Sequence, residues 1–327
     1  GRQNDSVTYD IIQTVCDKFP SFDMTAPLNV TLLRPDPHQA SSFAICVEMV
    51  ETANRVARMH GQSDRFKLTI AAPPEVSQDT QLVLVPGLGL ATVGELRRTM
   101  VQPGFQALLT ALRQIPSATP IAAACSATFA LGAAGLLDGR QTTGPWWLMP
   151  HLADLFPRAK LRQGDLIVED GRITTAGAAF GQIDLMLHLI TRYAGAAIAE
   201  DCRRFLMADS RPSQHPYVSV ATLVAGDPAL QLAELYLRQN LSQPITVADM
   251  AAAAGLGQRS FARRLQKHAA LTPTELLQSL RISEAIRLAR STRLPQEEIA
   301  HRVGYGDATA LRRLMRKRGM GTLDSYR

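Results

Sequence analysis

Two short helix–glycine–helix patterns near the carboxyl end of the chain constrain its fold more than any other feature. The first runs from Ile245 to Leu265 and the second from Leu294 to Met315. In each, a short helix with one apolar face is followed by a glycine and then by an arginine-rich helix. Glycine suits this turn because the chain needs a positive φ, which costs free energy for a residue with a side chain. Two such units can place two helices in successive major-groove segments, so the pattern predicts sequence-specific binding to double-stranded DNA.

The distribution of charge supports a nucleic-acid surface in the same region. The chain of 327 residues has a net charge of +6. Residues 229–327 hold 16 lysines and arginines against 8 aspartates and glutamates, whereas the rest of the chain holds 19 against 21. The positive excess therefore lies entirely in the carboxyl-terminal third, where it favours contact with DNA phosphates over an ordinary solvated surface.

The residues expected to read DNA lie on one face of the second helix of each pattern. Arg259 and Arg263 are four residues apart and share a helix face, with Phe261 and Leu265 on the opposite, buried side. Arginine can pair with guanine through two hydrogen bonds, and small residues can contact a thymine methyl group. A phosphate contact or a solvated charge is the alternative role for each arginine. The predicted DNA-binding residues are Gln258, Arg259, Ser260, Ala262, Arg263, Arg264, Ala308, Thr309, Arg312, Arg313 and Arg316.

These residues carry a resemblance to a known family over about residues 229–327. The segment from Leu294 to Asp307 and the late Tyr326-Arg327 pair resemble the signature of the AraC/XylS family of bacterial transcription regulators. The sequence departs from that pattern at Leu311, where the family usually has an aromatic residue. The resemblance implies two three-helix subdomains joined by a long helix, both reading helices on one face of DNA, and contact with RNA polymerase.

The rest of the chain alternates between β and α patterns. Leu82–Val85 and Ile121–Ala124 are continuous apolar runs, as expected of strands buried on both faces. The Asp170-Gly171 turn signal predicts a hairpin. The alternation predicts an α/β fold, a parallel sheet with helices on both faces. We therefore expect an amino-terminal extension of unclear structure over residues 1–27, an α/β domain over 28–211, a polar linker over 212–228 and an all-α domain over 229–327.

The apolar run Ile121–Ala124 is followed by Cys125, Ser126 and a helix that starts near Ala127. This is a nucleophile-elbow pattern, in which a sharp turn presents a thiol over the carboxyl edge of the sheet. The helix N-terminus would lower the pKa of that thiol. The spacing alone is weak evidence, because many α/β folds have a small residue at this turn.

The segments 124–143 and 171–188 resemble the DJ-1/PfpI-like domain that is fused to AraC-type regulators, which is related to the class I glutamine amidotransferases. The likeness implies a flavodoxin-like sandwich that binds a small effector and often forms a homodimer. Members often have a histidine where this chain has Gly144, and an acidic residue near Ser41-Ser42, where this chain has none. Because a thiol nucleophile needs a base, we expect no catalytic residue and interpret Cys125 as a pseudo-nucleophile that lines a ligand pocket.

The expected effector pocket lies at the carboxyl ends of the strands, where ligands bind in open α/β sheets. Trp146 and Trp147 are candidate walls that could stack on a cationic or planar effector, such as an amino acid or a quaternary amine. Their alternative place is the core, and Glu48 could face either the pocket or solvent. The predicted effector-binding residues are Glu48, Gly87, Leu88, Cys125, Ser126, Trp146 and Trp147.

Two other functions stay open from the sequence: a cysteine-dependent amidase or peptidase fused to a DNA-binding domain, and a redox sensor in which Cys125 is oxidised. The scattered cysteines fit free thiols in a reducing compartment, and no Cys/His cluster suggests a metal. The sequence shows no signal peptide and no apolar run of the ~18–20 residues that a bilayer requires. We expect a cytoplasmic bacterial protein without cofactor, metal or membrane contact.

Overall fold

The α/β domain is built on a six-stranded sheet. The computed structural model describes residues 26–209 and 211–327, so that most of the predicted extension over residues 1–27 lies outside the described residues. The strands are β1 (Leu28–Leu33), β2 (Phe66–Ala71), β3 (Leu82–Val85), β4 (Ile121–Ala124), β7 (Ile167–Asp170) and β8 (Ile173–Ala176). Their order is β2-β1-β3-β4-β8-β7, with all neighbours parallel except the β7–β8 hairpin. The short strands β5 (Gln141–Thr142) and β6 (Lys160–Leu161) form a separate parallel pair.

Helices cover both faces of this sheet. They are α1 (Ala40–Met59), α2 (Val93–Met100), α3 (Pro103–Gln114), α4 (Thr128–Ala133), α5 (Met149–Leu155), α6 (Gly181–Ala194) and α7 (Ala196–Phe205). Strand side chains alternate between two cores. Leu32 and Leu84 face the core under α1, α6 and α7, whereas Leu33 and Val85 face the core under α2 to α5. The predicted flavodoxin-like α/β sandwich is confirmed.

The carboxyl-terminal region is helical, as predicted, and has two hydrophobic cores. Its helices are α8 (Val220–Val224), α9 (Pro228–Gln239), α10 (Val247–Ala253), α11 (Gln258–Ala269), α12 (Pro273–Ser291), α13 (Gln296–Arg302) and α14 (Ala308–Lys317). The long helix α12 serves both cores: Leu276 and Leu280 lie in the first, and Ile282 and Ile286 lie in the second. The chain therefore folds into two helix-turn-helix subdomains that share one helix.

The segment over residues 212–228 is packed rather than extended. Val220 and Val224 on α8 lie in the first core of the helical region. Gln214 is buried, and its side-chain amide donates to the carbonyls of Gly144 and Asp165 at 3.1 and 3.0 Å. This segment is thus held by the α/β domain at one end and by the helical region at the other. The domain limits at residues 211, 212 and 228 stay predictions.

Candidate DNA interface and cysteine elbow

The first helix-turn-helix unit exposes an arginine face. Helix α10 starts with a capping box between Thr246 and Asp249, in which each side chain accepts a hydrogen bond from the other's backbone. Gly255 takes the turn with φ of +66°. On α11, Phe261 and Leu265 are fully buried and fix the orientation of the helix. Among the predicted readers of this helix, Gln258, Arg259, Arg263 and Arg264 are exposed, and Ser260 and Ala262 are half-buried.

Arg264 differs from the other arginines of α11 because it forms a structural ion pair. Its guanidinium binds the carboxylate of Asp227, whose side chain is 1% exposed. Asp227 also caps α9 by accepting from the backbone amides of Ala229 and Leu230. Burial acts to raise the pKa of Asp227, but the hydrogen bonds from Arg264 and from the amide of Leu230 outweigh it and leave this pKa lowered. The ion pair holds the reading helix against α9.

The second helix-turn-helix unit has the same order of helix, glycine turn and arginine-rich helix, but its surroundings differ. Gly304 takes the turn with φ of +82°, and the side chain of Asp307 caps α14 by accepting from the amide of Ala310. Thr309, Arg312, Arg313 and Arg316 are exposed on one side of α14, whereas Leu311 and Met315 are buried. Ala308 is 3% exposed and lies in the second core, apart from the exposed arginine face. DNA reading by the exposed residues stays a prediction.

Cys125 occupies the tight turn that its sequence pattern predicts. It follows β4 directly, and its φ of +55° lies in the left-handed region that disfavours a residue with a side chain. The next residue, Ser126, is fully buried. Its hydroxyl oxygen accepts hydrogen bonds from the amides of Leu88 and Leu90, at 3.1 and 3.4 Å. The elbow is therefore tied to the loop that follows β3.

Ser42 lies beside the elbow, in the region where the resemblance to DJ-1-like domains led us to look for an acidic residue. Its hydroxyl accepts from the amide of Gly87 at 2.8 Å and donates to the side chain of Gln182 at 2.9 Å. A β-carbon on Gly87 would lie 3.3 Å from the Cys125 β-carbon and 3.5 Å from the Ser42 hydroxyl. Gly87 thus lets the loop after β3 pass between these two side chains, and the neighbouring position holds an uncharged hydroxyl.

The thiol of Cys125 is not activated. Burial raises its pKa to about 11, against weaker lowering contributions from hydrogen bonds to the backbone and hydroxyl of Ser126. The Ser126 amide at the helix N-terminus acts to lower this pKa, as expected, but Cys125 is only 2% exposed and desolvation outweighs that contribution. Within the described residues, no histidine or carboxylate bonds the thiol; His188 instead pairs with Glu169 at 2.8 Å.

Four of the seven predicted effector-binding residues lie close together in the structure. Gly87, Leu88, Cys125 and Ser126 meet at the elbow, but all four are buried there. The other three lie elsewhere or face other surroundings. Glu48 is exposed on α1, six residues beyond Ser42 and so on a different side of the helix. Trp146 and Trp147 are half-buried in an edge-on pair with ring centroids 5.4 Å apart, and Trp147 packs against both cores of the α/β domain.

A large cavity lies between the α/β domain and the helical region, and the sequence did not predict it. Its volume is about 790 Å³, and Trp146 forms part of its wall together with Gly164, His215 and residues of α12. These contributors are far apart in sequence and share no periodic pattern. The glycine at position 164 is the one hint in the sequence, because a required glycine can mark a close contact. In the structure its φ is +80°, and the His215 ring leaves no room for a β-carbon there. No cluster that could hold a metal occurs among the described residues.

Comparison with known proteins agrees with this architecture. Residues 17–192 match the DJ-1/PfpI family, and residues 250–327 match a helix-turn-helix domain. The two matches together define a transcription regulator with a DJ-1/PfpI domain ahead of its DNA-binding domain. The chain belongs to the DJ-1/PfpI family and, through its carboxyl-terminal domain, to the AraC-type regulators. None of the helices in the described residues is long and apolar enough to cross a membrane.

The similar curated proteins are bacterial regulators. The HTH-type transcriptional regulator GbdR of Pseudomonas aeruginosa is 26% identical over 299 residues, which cover 85% of this chain and 78% of GbdR. CdhR of the same species is 29% identical over 192 residues, covering 58% of this chain and 56% of CdhR. A solved AraC family regulator from Pseudomonas putida is 20% identical, with a TM-score of 0.45 over 55% of this chain and all of the other.

Proposed function

We propose that this protein is a sequence-specific regulator that responds to a small-molecule effector, with a DJ-1/PfpI-like domain that senses without catalysing a reaction. The pair of exposed arginine faces on α11 and α14 is the single observation that carries the proposal. Each face stands on its own core, and the shared helix α12 fixes their spacing. Two rigidly spaced basic helices suit two major-groove segments on one side of a duplex.

The sensing role of the α/β domain rests on the state of its cysteine. A nucleophilic thiol reacts as the thiolate, and a pKa of about 11 leaves almost none at neutral pH. Ser42 supplies a hydroxyl that is already engaged by Gln182 and Gly87, so it provides no proton acceptor for Cys125. These contacts support a structural elbow in place of a working nucleophile.

The proposal includes a cellular setting. We place the protein in the bacterial cytoplasm as a homodimer that binds a pair of half-sites and contacts RNA polymerase at promoters. The tandem units support the DNA arrangement, and the named relatives support the role in transcription. A dimer would add avidity, because binding of one subunit raises the effective concentration of the second at its half-site.

Selection of duplexes from a random pool by the full chain tests the DNA-binding part. Each half-site in the selected DNA should contain two short conserved blocks about one helical turn apart. Enrichment without any conserved block would contradict sequence-specific binding.

An assay for amide and peptide hydrolysis tests the sensing part. The protein and its Cys125→Ala variant should both be inactive. Turnover that disappears in Cys125→Ala would replace the sensor with a cysteine-dependent hydrolase. Mass spectrometry after mild peroxide, with DNA binding measured in parallel, separates ligand sensing from redox sensing through Cys125.

A further inference from the structure

Specific hydrogen bonds hold the walls of the cavity between the two domains. The side-chain amide of Gln163 donates to the backbone carbonyl of Ala270 at 2.6 Å, which joins the α/β domain to the end of α11. The His215 ring, which lines the cavity, bonds the Ser213 hydroxyl at 2.9 Å. The Gln163 bond therefore ties the two domains together at the wall of the cavity.

Glycines make room for the segment over residues 213–215, of which His215 lines the cavity. A β-carbon on Gly164 would lie 1.9 Å from the His215 ring, and one on Gly177 would lie 2.1 Å from the Gln214 side chain. A β-carbon on Gly319, in the helical region, would approach Ser213 to 3.2 Å. Both domains are thus shaped around this segment, so the part of the wall that His215 forms is a specific feature of the fold.

The charge of the cavity wall is positive and unbalanced. Arg290, Lys317 and Arg318 line the cavity, and no carboxylate among the described residues lies within ion-pair range of any of them. Arg318 donates to Ser279 and Gln278, and Arg290 lies over the Tyr326 ring. These partners are neutral, and Glu275 in the same wall acts electrostatically on Arg318 and offsets part of its charge.

Two carboxylates, those of Asp165 and Glu275, also line the cavity. Asp165 accepts from Arg162 at 2.9 Å, and Glu275 forms the capping box of α12 with Thr272. The fourth cation of the wall, Arg287, pairs with Glu284 at 2.6 Å. The wall therefore holds four cations against two carboxylates, and this excess favours a negatively charged occupant and disfavours a simple quaternary amine.

The remaining wall combines apolar side chains with uncharged polar ones such as Gln163 and Thr274. Trp146 and Met149 contribute from the α/β domain, and Leu271, Ile282, Leu314 and Met320 contribute from the helical region. A volume of about 790 Å³ falls in the range of pockets for small organic ligands, which combine apolar walls with a few polar groups. We propose that this cavity binds an organic anion with an apolar or aromatic body and a carboxylate or similar acidic group.

This inference rests on the proposed function and locates its effector between the domains, away from the buried elbow. An occupant would touch α12, which belongs to both helical cores, and also Lys317 and Arg318, which lie at the end of α14. It would therefore contact the element that sets the spacing of the reading helices. A ligand that prefers one arrangement of these walls changes DNA affinity by that preference.

The probe for the test is 8-anilinonaphthalene-1-sulfonate, an aromatic anion whose fluorescence rises in apolar surroundings. N-phenyl-1-naphthylamine has nearly the same body without the acidic group and is the matched neutral probe. Both are titrated into the full chain. The anion should bind saturably at one site and about tenfold or more tighter than the neutral probe, because a charge-assisted contact supplies more than ~1.4 kcal/mol. Equal affinities would overturn the proposal.

Two pairs of variants locate the site. Arg290→Gln should weaken binding of the anion about tenfold and leave the neutral probe unchanged, whereas Arg293→Gln, outside the cavity wall, should change neither. Ser283→Trp fills the cavity from an exposed wall position and should abolish binding, whereas Thr110→Trp on α3 should not. Anion binding that survives both Arg290→Gln and Ser283→Trp would refute this location. If circular dichroism shows that Ser283→Trp is misfolded, the comparison of Arg290→Gln with Arg293→Gln still tests the location of the site.

DNA binding in the same samples separates this inference from the proposed function. Without probe, the affinity for selected duplexes tests the proposed function alone. With saturating anion, that affinity should change about threefold or more in the parent chain and remain constant in Arg290→Gln. Specific DNA binding without anion binding would refute only the cavity site. Anion binding without specific DNA binding would refute only the regulator.

Discussion

The two helix-turn-helix subdomains share one plan of elements but are embedded differently. Gly255 turns the first unit in open space, where a β-carbon would meet no other atom within 4 Å. Gly304 turns the second with a similar positive φ, but a β-carbon there would lie 2.3 Å from the backbone carbonyl of Leu241 and 2.5 Å from Arg281. Both turns require a positive φ, but only the turn at Gly304 is also in close contact with another part of the chain, at Leu241 just before the first unit.

The units also meet the rest of the molecule differently. The first reading helix, α11, packs against α5 of the α/β domain and against Asp227 through Arg264. The second is followed by Gly319, which packs close to Ser213 in the segment over residues 213–215. Two motifs that look equivalent in sequence therefore differ in how closely their turns are packed and in which parts of the α/β domain and the connecting segment they contact.

The largest expected difference concerns the two turn glycines. Gly304→Ala should lower the free energy of unfolding by roughly 3 kcal/mol or more, because left-handed strain adds to a backbone clash. Gly255→Ala should cost about 1 kcal/mol from strain alone. Urea unfolding of both variants, followed by circular dichroism, measures the difference. Equal losses would show that the enclosure of Gly304 is unimportant.

The next comparison concerns DNA reading. Arg263→Ala and Arg312→Ala should each cost about 1–3 kcal/mol at one recognition block and relax specificity there. Arg263 has no ion pair within the described chain, and Arg312 makes one long contact of 3.3 Å with Gln296, so both side chains are available to DNA. Binding to duplexes mutated in one block at a time checks this. Uniform weakening across all duplexes would identify phosphate contacts instead.

A smaller effect is expected at the helix caps. Asp227→Ala should destabilise by about 1–2 kcal/mol, since it removes a buried cap and the partner of Arg264. Asp307→Ala removes the exposed cap of α14 and should cost about 1 kcal/mol or less. Thermal unfolding measures both.

The two caps should also differ in pH dependence. The lowered pKa of Asp227 means that its contribution to stability is present above its ordinary pKa and is lost as the pH falls through the folded-state value. The loss of stability on acidification should therefore be smaller in Asp227→Ala than in the parent chain. An identical acid dependence would show that the Arg264 pair does not couple to folding.

The smallest effect on DNA binding is expected at Cys125, which lies outside both subdomains. Cys125→Ser should change DNA affinity by less than about 0.5 kcal/mol. Native Cys125 should react slowly with iodoacetamide at neutral pH because its pKa is raised to about 11. The stabilising effect of the buried neutral thiol is present below its ordinary pKa and is lost as the pH rises toward 11. Peptide mass spectrometry follows the labelling, and rapid reaction at neutral pH would contradict this account.

Local patterns in the sequence predicted much of the fold. The continuous apolar runs gave β3 and β4 their limits because both faces of these strands are buried. Gly255 and Gly304 were expected at positive φ because a helix-turn-helix turn requires it, and both have it. The turn at Cys125 was predicted from its place between a strand and a helix, and its φ of +55° confirms it.

Properties that depend on distant contacts were not predicted. The pKa of Cys125 rises because the loop after β3 and Ser42 bury it, whereas the sequence shows only the neighbouring helix. Helix α8 was missed because the surrounding prolines and glycines hide Val220 and Val224, which pack in a core formed mostly by later residues. The cavity between the domains arises from side chains far apart in the chain, such as those near Gln163 and Ala270.

The fit of residues 213–215 among glycines of both domains has a consequence for hybrid regulators. If this DNA-binding domain were joined to a foreign sensor at a point within residues 213–215, the chimera would lose some of the contacts between this segment and the glycines that accommodate it. Gly164 and Gly177 accommodate His215 and Gln214 from one side, and Gly319 accommodates Ser213 from the other. A chimera that keeps the segment together with all three glycines should transmit its signal. One that replaces it with a flexible tether of equal length should bind DNA but ignore its inducer.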